Sequence, residues 1–273
     1  MAIKMIGLDL DGTTLSSERD FSKRTIETIG RAIEKGVEVI IATGRAEHSL
    51  PKAIYEIPGL NYVATSNGAR VIDLKEKKTV YKNFIDPNRI PEIHKVLKEN
   101  DADIEVFFDG TAYIGAREYD SIISGENTTR NKEYIIASRS PSHRIFDLLI
   151  ENKEKIENIN INYRELSQKE PMEKILKSIQ GVHLTSSVPL NNEIGGKTTS
   201  KADALRFLME RAGLKRENLM ACGDNPNDLE MIVFAGIGVA MGNAEDVVKE
   251  AADFVTLPNY EDGVAYAIEK FVL

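Results

Sequence analysis

The chain has 273 residues, of which 42% are hydrophobic and 29% are charged, and its formal net charge is −8. This length predicts two domains, and the acidic balance without a long basic tract argues against nucleic acid as a partner. No apolar stretch approaches the roughly 18 residues of a membrane span, and the single cysteine, Cys222, cannot form an intramolecular disulfide. Because a strand is predicted from Ala2 and leaves no room for a signal peptide, we expect a cytoplasmic protein.

The first part of the chain alternates predicted strands and helices. An apolar strand over 2–10 is followed by an amphipathic helix over 21–35. A second strand covers 37–42, a helix is predicted after Thr43-Gly44-Arg45 and extends to about Glu56, and a third strand covers 62–65. Apolar strands that alternate with helices predict a parallel sheet with right-handed crossovers.

The middle of the chain, from about residue 84 to residue 190, has a different character. Segments such as 159–163 and 182–185 alternate apolar and polar residues between predicted helices. Such alternation indicates a sheet with one solvated face, which is typical of an antiparallel α+β module. We therefore interpret 84–190 as an inserted α+β domain.

The last part of the chain returns to the rhythm of the first. The predicted elements are helices over 201–211, 227–234 and 244–251, strands over 219–222, 237–241 and 254–256, and a helix from about Glu261. Residues 1–83 and 191–273 thus predict one discontinuous α/β core, built on a doubly wound, Rossmann-like parallel sheet.

Two carboxylates spaced by one residue end the first predicted strand. Asp9 and Asp11 follow the apolar run 5–8 and precede Gly12. Because side chains alternate faces along a strand, both carboxylates would point to the same side. Two like charges held so close repel each other unless a cation or a shared proton relieves them, so we predict a functional role for the pair.

The dipeptide Asp-Gly is also a hairpin signal, and the chain contains a second copy for comparison. Asp109-Gly110 has strand-like residues on both sides and predicts a hairpin. After Gly12, by contrast, a polar segment leads into a helix. That order places polar groups at the carboxyl edge of a parallel sheet, where α/β proteins bind ligands.

Residues that follow other core strands share this edge. They are Thr43-Gly44-Arg45 after the second strand and the acidic segment 224–228 after a late strand. Carboxylate oxygens of Asp9, Asp11 and Asp224 suit Mg²⁺, whereas the lack of a cysteine pair or a His-x-His motif does not favour zinc. The chemistry that suits such a set is phosphoryl transfer, in which one carboxylate is the nucleophile and a second acid moves the proton.

These segments, taken in order, resemble the motifs of the haloacid dehalogenase superfamily, specifically the Cof-type phosphatases with a large inserted (C2-type) cap. The resemblance covers essentially the whole core. The matching segments are Asp9-Leu10-Asp11-Gly12-Thr13, Ala42-Thr43-Gly44-Arg45, Ser200-Lys201-Ala202 and the segment from Gly223-Asp224 to Asn227-Asp228. The family usually has glycine after its lysine, where this chain has Ala202.

The resemblance implies a role for each matching residue. Asp9 would be the nucleophile and a metal ligand, and Asp11 the general acid/base, with its backbone carbonyl on Mg²⁺. The residues implied to hold the phosphoryl group are Thr43, Asn227, Lys201 and the amides of Leu10 and Gly44. The residues implied to form or support the metal site are Asp9, Asp11, Asp224 and Asp228. Lys201 would also neutralise the nucleophile.

The expected activity is Mg²⁺-dependent hydrolysis of small phosphate esters, such as sugar phosphates or a phosphorylated cofactor, with no nucleic-acid or membrane partner. Two alternatives remain open at this stage: a phosphotransferase or mutase, and a non-catalytic sensor of phosphorylated metabolites. Lys197 is the alternative to Lys201. Asn67, in a Ser-Asn-Gly turn, is interpreted mainly as turn chemistry, with positioning of the cap or of Asp11 as the alternative.

Overall fold

The computed structural model describes residues 2–16 and 20–273, which form fourteen strands and ten α-helices. The strands are β1 (Met5–Leu8), β2 (Glu38–Ala42), β3 (Tyr62–Thr65), β4 (Arg70–Asp73), β5 (Lys78–Lys82), β6 (Asp103–Phe108), β7 (Thr111–Gly115), β8 (Ser140–Ser142), β9 (Ile156–Asn162), β10 (Val182–Thr185), β11 (Asn191–Gly196), β12 (Leu219–Gly223), β13 (Ile237–Ala240) and β14 (Phe254–Val255). The helices are α1 (Lys23–Glu34), α2 (Ile90–Glu99), α3 (Ala116–Ser124), α4 (Lys132–Ser138), α5 (Ile145–Glu151), α6 (Leu166–Ser178), α7 (Lys201–Arg211), α8 (Leu229–Phe234), α9 (Asp246–Ala251) and α10 (Gly263–Phe271). Among the helices of these residues, none is long and apolar enough to cross a membrane.

The chain divides into two compact units. The first unit contains Met1–Gly44, Pro51–Lys82 and Ser200–Leu273, and the second contains Arg45–Leu50 and Asn83–Thr199. The second unit therefore extends to Thr199, past the limit of 190 that was expected for the insertion. The reason is that β11 pairs with β9 and β10 in the second unit's sheet.

The first unit is built on an eight-stranded sheet in the order β14-β13-β12-β1-β2-β3-β4-β5. The six strands from β14 to β3 are parallel, and β4 and β5 add an antiparallel edge. All four residues of β1 are buried, as expected of a central parallel strand covered on both faces. The predicted α/β class with a doubly wound parallel core is confirmed.

The strand order reverses beside β1. From β1 the chain proceeds through β2 and β3 on one side of the sheet, and β12, β13 and β14 lie on the other side. The carboxyl ends of β1 and β12 therefore flank the switch point of the sheet. In open α/β sheets this is the place where ligands bind.

The second unit has a six-stranded sheet in the order β10-β11-β9-β6-β7-β8. All of its neighbouring strands are antiparallel except β7 and β8. Apolar side chains of β6 and β9 pack with buried residues of α2, α5 and α6, for example Leu97, Leu149 and Leu176. The predicted hairpin is confirmed, because Asp109 and Gly110 join β6 to β7 with φ angles of 48° and 75°, the left-handed backbone that a two-residue turn requires.

The segment Arg45–Leu50 belongs to the second unit although it follows a strand of the first. The His48 backbone N–H donates to Gly110 O at 2.9 Å, and the Ser49 hydroxyl donates to Ser138 O at 3.0 Å. Ala46 is buried with Phe107 and Ala112. These contacts anchor the segment on the β6–β7 hairpin and on the end of α4.

The prediction of a helix that follows Thr43-Gly44-Arg45 and extends to about Glu56 is wrong. Two short 3₁₀ helices, Glu47–Ser49 and Lys52–Glu56, stand in its place. Pro51 separates them because it lacks an N–H and holds the preceding residue out of the helical region. Accordingly, Leu50 has an extended backbone, with ψ of 139°.

A buried ion network holds β6 to α3 and α4 in the second unit. The Glu105 carboxylate is fully buried and accepts a hydrogen bond from Arg139 Nε at 2.9 Å, while Arg130 lies 2.7 Å from the same oxygen. Arg130 also bonds Glu118 at 2.9 Å. Burial alone would raise the pKa of Glu105, but Arg130 and Arg139 outweigh it and lower that pKa to about 2. Glu118 shares one arginine, so burial dominates and raises its pKa to about 7.

This difference predicts that the unfolding free energy depends on Glu118 near neutral pH. Because the pKa of Glu118 is raised by folding, its contribution to stability is fully present below the ordinary value of 4.5 and is lost as the pH rises through about 7. The charges that act on it are Arg130, Glu105 and Asp103. We expect Glu118→Gln to flatten the decline in denaturant-unfolding free energy between about pH 5 and about pH 8. An identical pH slope in wild type and variant would contradict this.

Candidate active site

Backbone hydrogen bonds fix the loop that follows β1. The Asp9 N–H donates to Cys222 O at 3.0 Å, and within the loop the Leu15 N–H donates to Leu10 O at 2.9 Å. Gly12 adopts a φ of +77°, and a Cβ built there would lie 2.3 Å from Asp224 Oδ2. The loop therefore requires glycine, both for its backbone conformation and for the close approach of the acidic residue after β12.

Three aspartates meet at this point. The carboxylates of Asp9, Asp224 and Asp228 each offer an oxygen that lies within 4.8 Å of the others. Their exposed fractions are 4%, 6% and 0%. So many buried carboxylates repel one another strongly unless cations offset them.

One of these cations is the ammonium of Lys201. Its Nζ lies 2.5 Å from Asp9 Oδ1 and 2.7 Å from Asp228 Oδ1, and the residue is 1% exposed. Burial disfavours its charge, but Asp228 and Asp9 outweigh burial and raise the pKa of Lys201 above its usual range. Lys201 is the first residue of α7, where Ser200 caps the helix through the Asp203 N–H. Lys197, the alternative from the sequence, is exposed.

One ammonium leaves the cluster with excess negative charge. Burial raises the pKa of Asp9 well above its ordinary value, and the charges of Asp228 and Asp224 raise it further. Burial and then Asp228 raise the pKa of Asp224 to about 7. A divalent cation would supply the missing positive charge, and an all-oxygen donor set suits Mg²⁺. The residues present therefore fit the expected metal.

The hydrogen bonds of Asp228 orient Lys201 and the acidic loop that begins at Asp224. Its Oδ1 accepts from Lys201, and its Oδ2 accepts from the backbone N–H groups of Asp224 at 2.9 Å and Asn225 at 3.1 Å. A Cβ on Gly223 would lie 2.4 Å from the Asp228 Cβ, so the end of β12 must be glycine for this contact to form. Asp228 thus fixes both the lysine and the acidic loop.

Two of the residues expected to bind phosphate, Thr43 and Gly44, lie at the end of β2. Thr43 is buried, and its N–H donates to Ala64 O at 2.9 Å. A Cβ built on Gly44 would lie 3.8 Å from Asn227 Nδ2, which brings the end of β2 close to the segment after β12. Asp11, expected to be the general acid/base, has an exposed side chain and does not join the buried carboxylate cluster.

Some residues that support the loops were not singled out from the sequence. The Thr13 hydroxyl donates to Asp224 Oδ1 at 2.8 Å, and Asn225 Nδ2 donates to Asp224 Oδ2 at 2.8 Å. Asn243 Nδ2 donates to Gly12 O at 2.8 Å. For Thr13, its place directly after the Asp-x-Asp-Gly run was an available signal. Asn243 lies in the turn after β13, and no role was expected for it.

Comparison with known proteins gives consistent matches along the whole chain. A family model described as haloacid dehalogenase-like hydrolase matches residues 6–268. The chain is 32% identical over 271 residues to the 5-amino-6-(5-phospho-D-ribitylamino)uracil phosphatase YcsE of Bacillus subtilis, covering 99% of this chain and 96% of that protein. The B. subtilis phosphatase YwtE, named for the same substrate, is 31% identical, with 99% and 98% covered. A solved haloacid dehalogenase-like hydrolase from B. subtilis matches with a TM-score of 0.84 at 30% identity, with 99% and 100% covered.

Proposed function

Because the chain belongs to the haloacid dehalogenase-like hydrolase family, we propose that it hydrolyses phosphate monoesters of small metabolites with Mg²⁺ and through a phosphorylated Asp9. The expected family membership is confirmed, and the chain is a phosphatase of that family. The Mg²⁺ requirement, the covalent intermediate and the role of each residue are the parts that we propose.

The observation that carries the proposal is the position of the Lys201 ammonium between Asp9 and Asp228. The buried ammonium lowers the pKa of Asp9 against burial and the neighbouring carboxylates, which raise it, and so favours the ionised carboxylate that a nucleophile requires. The same positive charge would stabilise the phosphoryl oxygens as the carboxylate approaches them. A binding protein would not need a carboxylate at the point of phosphate contact.

The proposed reaction has two chemical steps. In the first, an oxygen of Asp9 forms a bond to phosphorus, the ester P–O bond breaks, and Asp11 gives its proton to the leaving alkoxide. In the second, Asp11 takes a proton from water, the water oxygen attacks phosphorus, and the acyl phosphate bond breaks to release inorganic phosphate. Thr43, Asn227 and the amides of Leu10 and Gly44 would hold the phosphoryl oxygens.

Bound Mg²⁺ would neutralise charge on the phosphoryl group during these steps. Asp9 and Asp224 would be its carboxylate ligands, and Asp11 would offer its backbone carbonyl. Asp228 would support this set by orienting Asp224 and Lys201, since both of its oxygens already accept hydrogen bonds.

The simplest test is hydrolysis of p-nitrophenyl phosphate by the pure protein. We expect turnover with Mg²⁺ and loss of turnover with excess EDTA, restored when Mg²⁺ is added back. The control is the same measurement with added sugars, because a phosphotransferase would form sugar phosphate in place of inorganic phosphate. Absence of turnover with Mg²⁺ on any ester would support the sensor alternative and overturn the proposal.

The substrate we propose to test first follows from the relatives. Two of them, each covering nearly the whole chain, are named 5-amino-6-(5-phospho-D-ribitylamino)uracil phosphatases. We therefore propose a small ester with a phosphorylated polyol chain. Release of inorganic phosphate, measured for this compound and for a panel of sugar phosphates, ranks the candidate substrates by kcat/KM.

A further inference from the structure

The turn that follows β3, Ser66–Gly68, has an unusual backbone. Ser66 and Asn67 have φ angles of 51° and 56°, and Gly68 has a φ of 90°. Non-glycine residues in this left-handed region cost of order 1 kcal/mol or more each, and two in succession persist only where the surroundings hold them. All three residues are buried. The contacts of these three residues should therefore explain why this backbone is kept.

Asn67 contacts two of the segments that the proposed function assigns to phosphate binding. Its backbone N–H donates to Thr43 O at 3.0 Å. Its Oδ1 accepts a hydrogen bond from Asn227 Nδ2 at 3.1 Å. The same oxygen lies 3.1 Å from the point where a Cβ on Gly44 would stand. One side chain thus connects the end of β2 with the segment after β12.

The next residue of the turn contacts a third segment. A Cβ on Gly68 would lie 2.2 Å from Ser200 O and 3.2 Å from the Ala204 Cβ. Ser200 is the N-cap of α7, and Lys201 is the first residue of that helix. The turn therefore packs against the start of the helix that carries the buried lysine.

From these contacts we propose that Ser66–Gly68 is a brace for the phosphate-binding residues, with Asn67 as the positioning residue. The inference rests on the proposed function, because it concerns the same site. Turn chemistry alone accounts for asparagine in a left-handed conformation. It does not account for the Oδ1 that accepts the Asn227 amide. Asn67 acts by fixing Asn227 and the Thr43–Gly44 backbone relative to each other.

The test is Asn67→Gly, which keeps the left-handed backbone without strain and removes only the side chain. We expect kcat/KM for p-nitrophenyl phosphate to fall at least about tenfold, because a misplacement of reacting groups by about 1 Å can lower the rate by about 100-fold. The inhibition constant of inorganic phosphate should rise in parallel, while the unfolding midpoint stays near that of the wild type. The matched control is Lys77→Gly, at an exposed residue with a φ of 50° in the turn between β4 and β5, which should change neither constant.

A double-mutant cycle with Asn227→Ala identifies the route. If Asn67 acts through Asn227, the double variant loses little more activity than Asn227→Ala alone. Losses that multiply, or wild-type kinetics and phosphate inhibition in Asn67→Gly, would overturn the inference while leaving the proposed function intact. If the wild type neither turns over the ester nor is inhibited by phosphate, the proposed function fails and the brace fails with it.

Discussion

Replacing Asp9 with asparagine is expected to lower kcat for phosphate-ester hydrolysis by at least about 10⁴-fold, as removal of a nucleophile does elsewhere. The amide is a far weaker nucleophile than the carboxylate that Lys201 contacts at 2.5 Å. The measurement is single-turnover and steady-state release of phosphate in the presence of Mg²⁺.

The same variant should remain folded. Burial and the charges of Asp228 and Asp224 disfavour ionised Asp9, so its replacement by a neutral isostere removes like-charge repulsion. We expect the thermal midpoint in EDTA to equal or exceed that of the wild type. Asp73→Asn, at a buried aspartate of β4, is the matched control and should retain activity. Turnover near the wild-type rate in Asp9→Asn would remove Asp9 as the nucleophile.

Replacing Lys201 with methionine is expected to abolish activity and to destabilise the fold together. The change leaves the buried carboxylates of Asp9 and Asp228 without their shared ammonium. Breaking a buried ion pair by removing one partner costs about 3–5 kcal/mol. Denaturant unfolding in EDTA should show a loss of that order.

Mg²⁺ should return part of the lost stability of Lys201→Met, because a bound cation offsets the same carboxylates. It should not return the activity, since the lysine charge beside the phosphoryl group is still missing. Lys197→Met serves as the control, because Lys197 is exposed and lies four residues before Lys201 in the chain. Loss of activity in Lys197→Met with normal turnover in Lys201→Met would reverse the assignment of the two lysines.

The core of the first unit was predictable because its signals are local. Continuous apolar runs mark β1, β2 and β12, and the predicted limits of α7 agree with those observed, Lys201–Arg211. The meeting of Asp9 with Asp224 and Lys201 follows from strand order, since polar residues after parallel strands share one edge of the sheet. Their roles in the reaction remain predictions.

The second unit was harder to predict because non-local pairing decides its structure. β11 reads Asn-Asn-Glu-Ile-Gly-Gly, which lacks apolar alternation, yet all six residues are buried between β9 and β10. Helices α3, α4 and α5 were not predicted. Helices α3 and α4 lie beside the ion network that contains Glu105 and Arg130. Removing these charges from water becomes favourable only when all members of the network are paired.

The placement of Arg45–Leu50 has a mechanical consequence. The polypeptide passes between the units at four points, after Gly44, Leu50, Lys82 and Thr199. A fragment without residues 83–199 would lack Gly110, Ser138 and Phe107, which contact Arg45–Leu50. The two units are therefore not separable as fragments. Gly44, whose amide is expected to bind the phosphoryl group, is joined by a single peptide bond to Arg45, the first residue of the second unit.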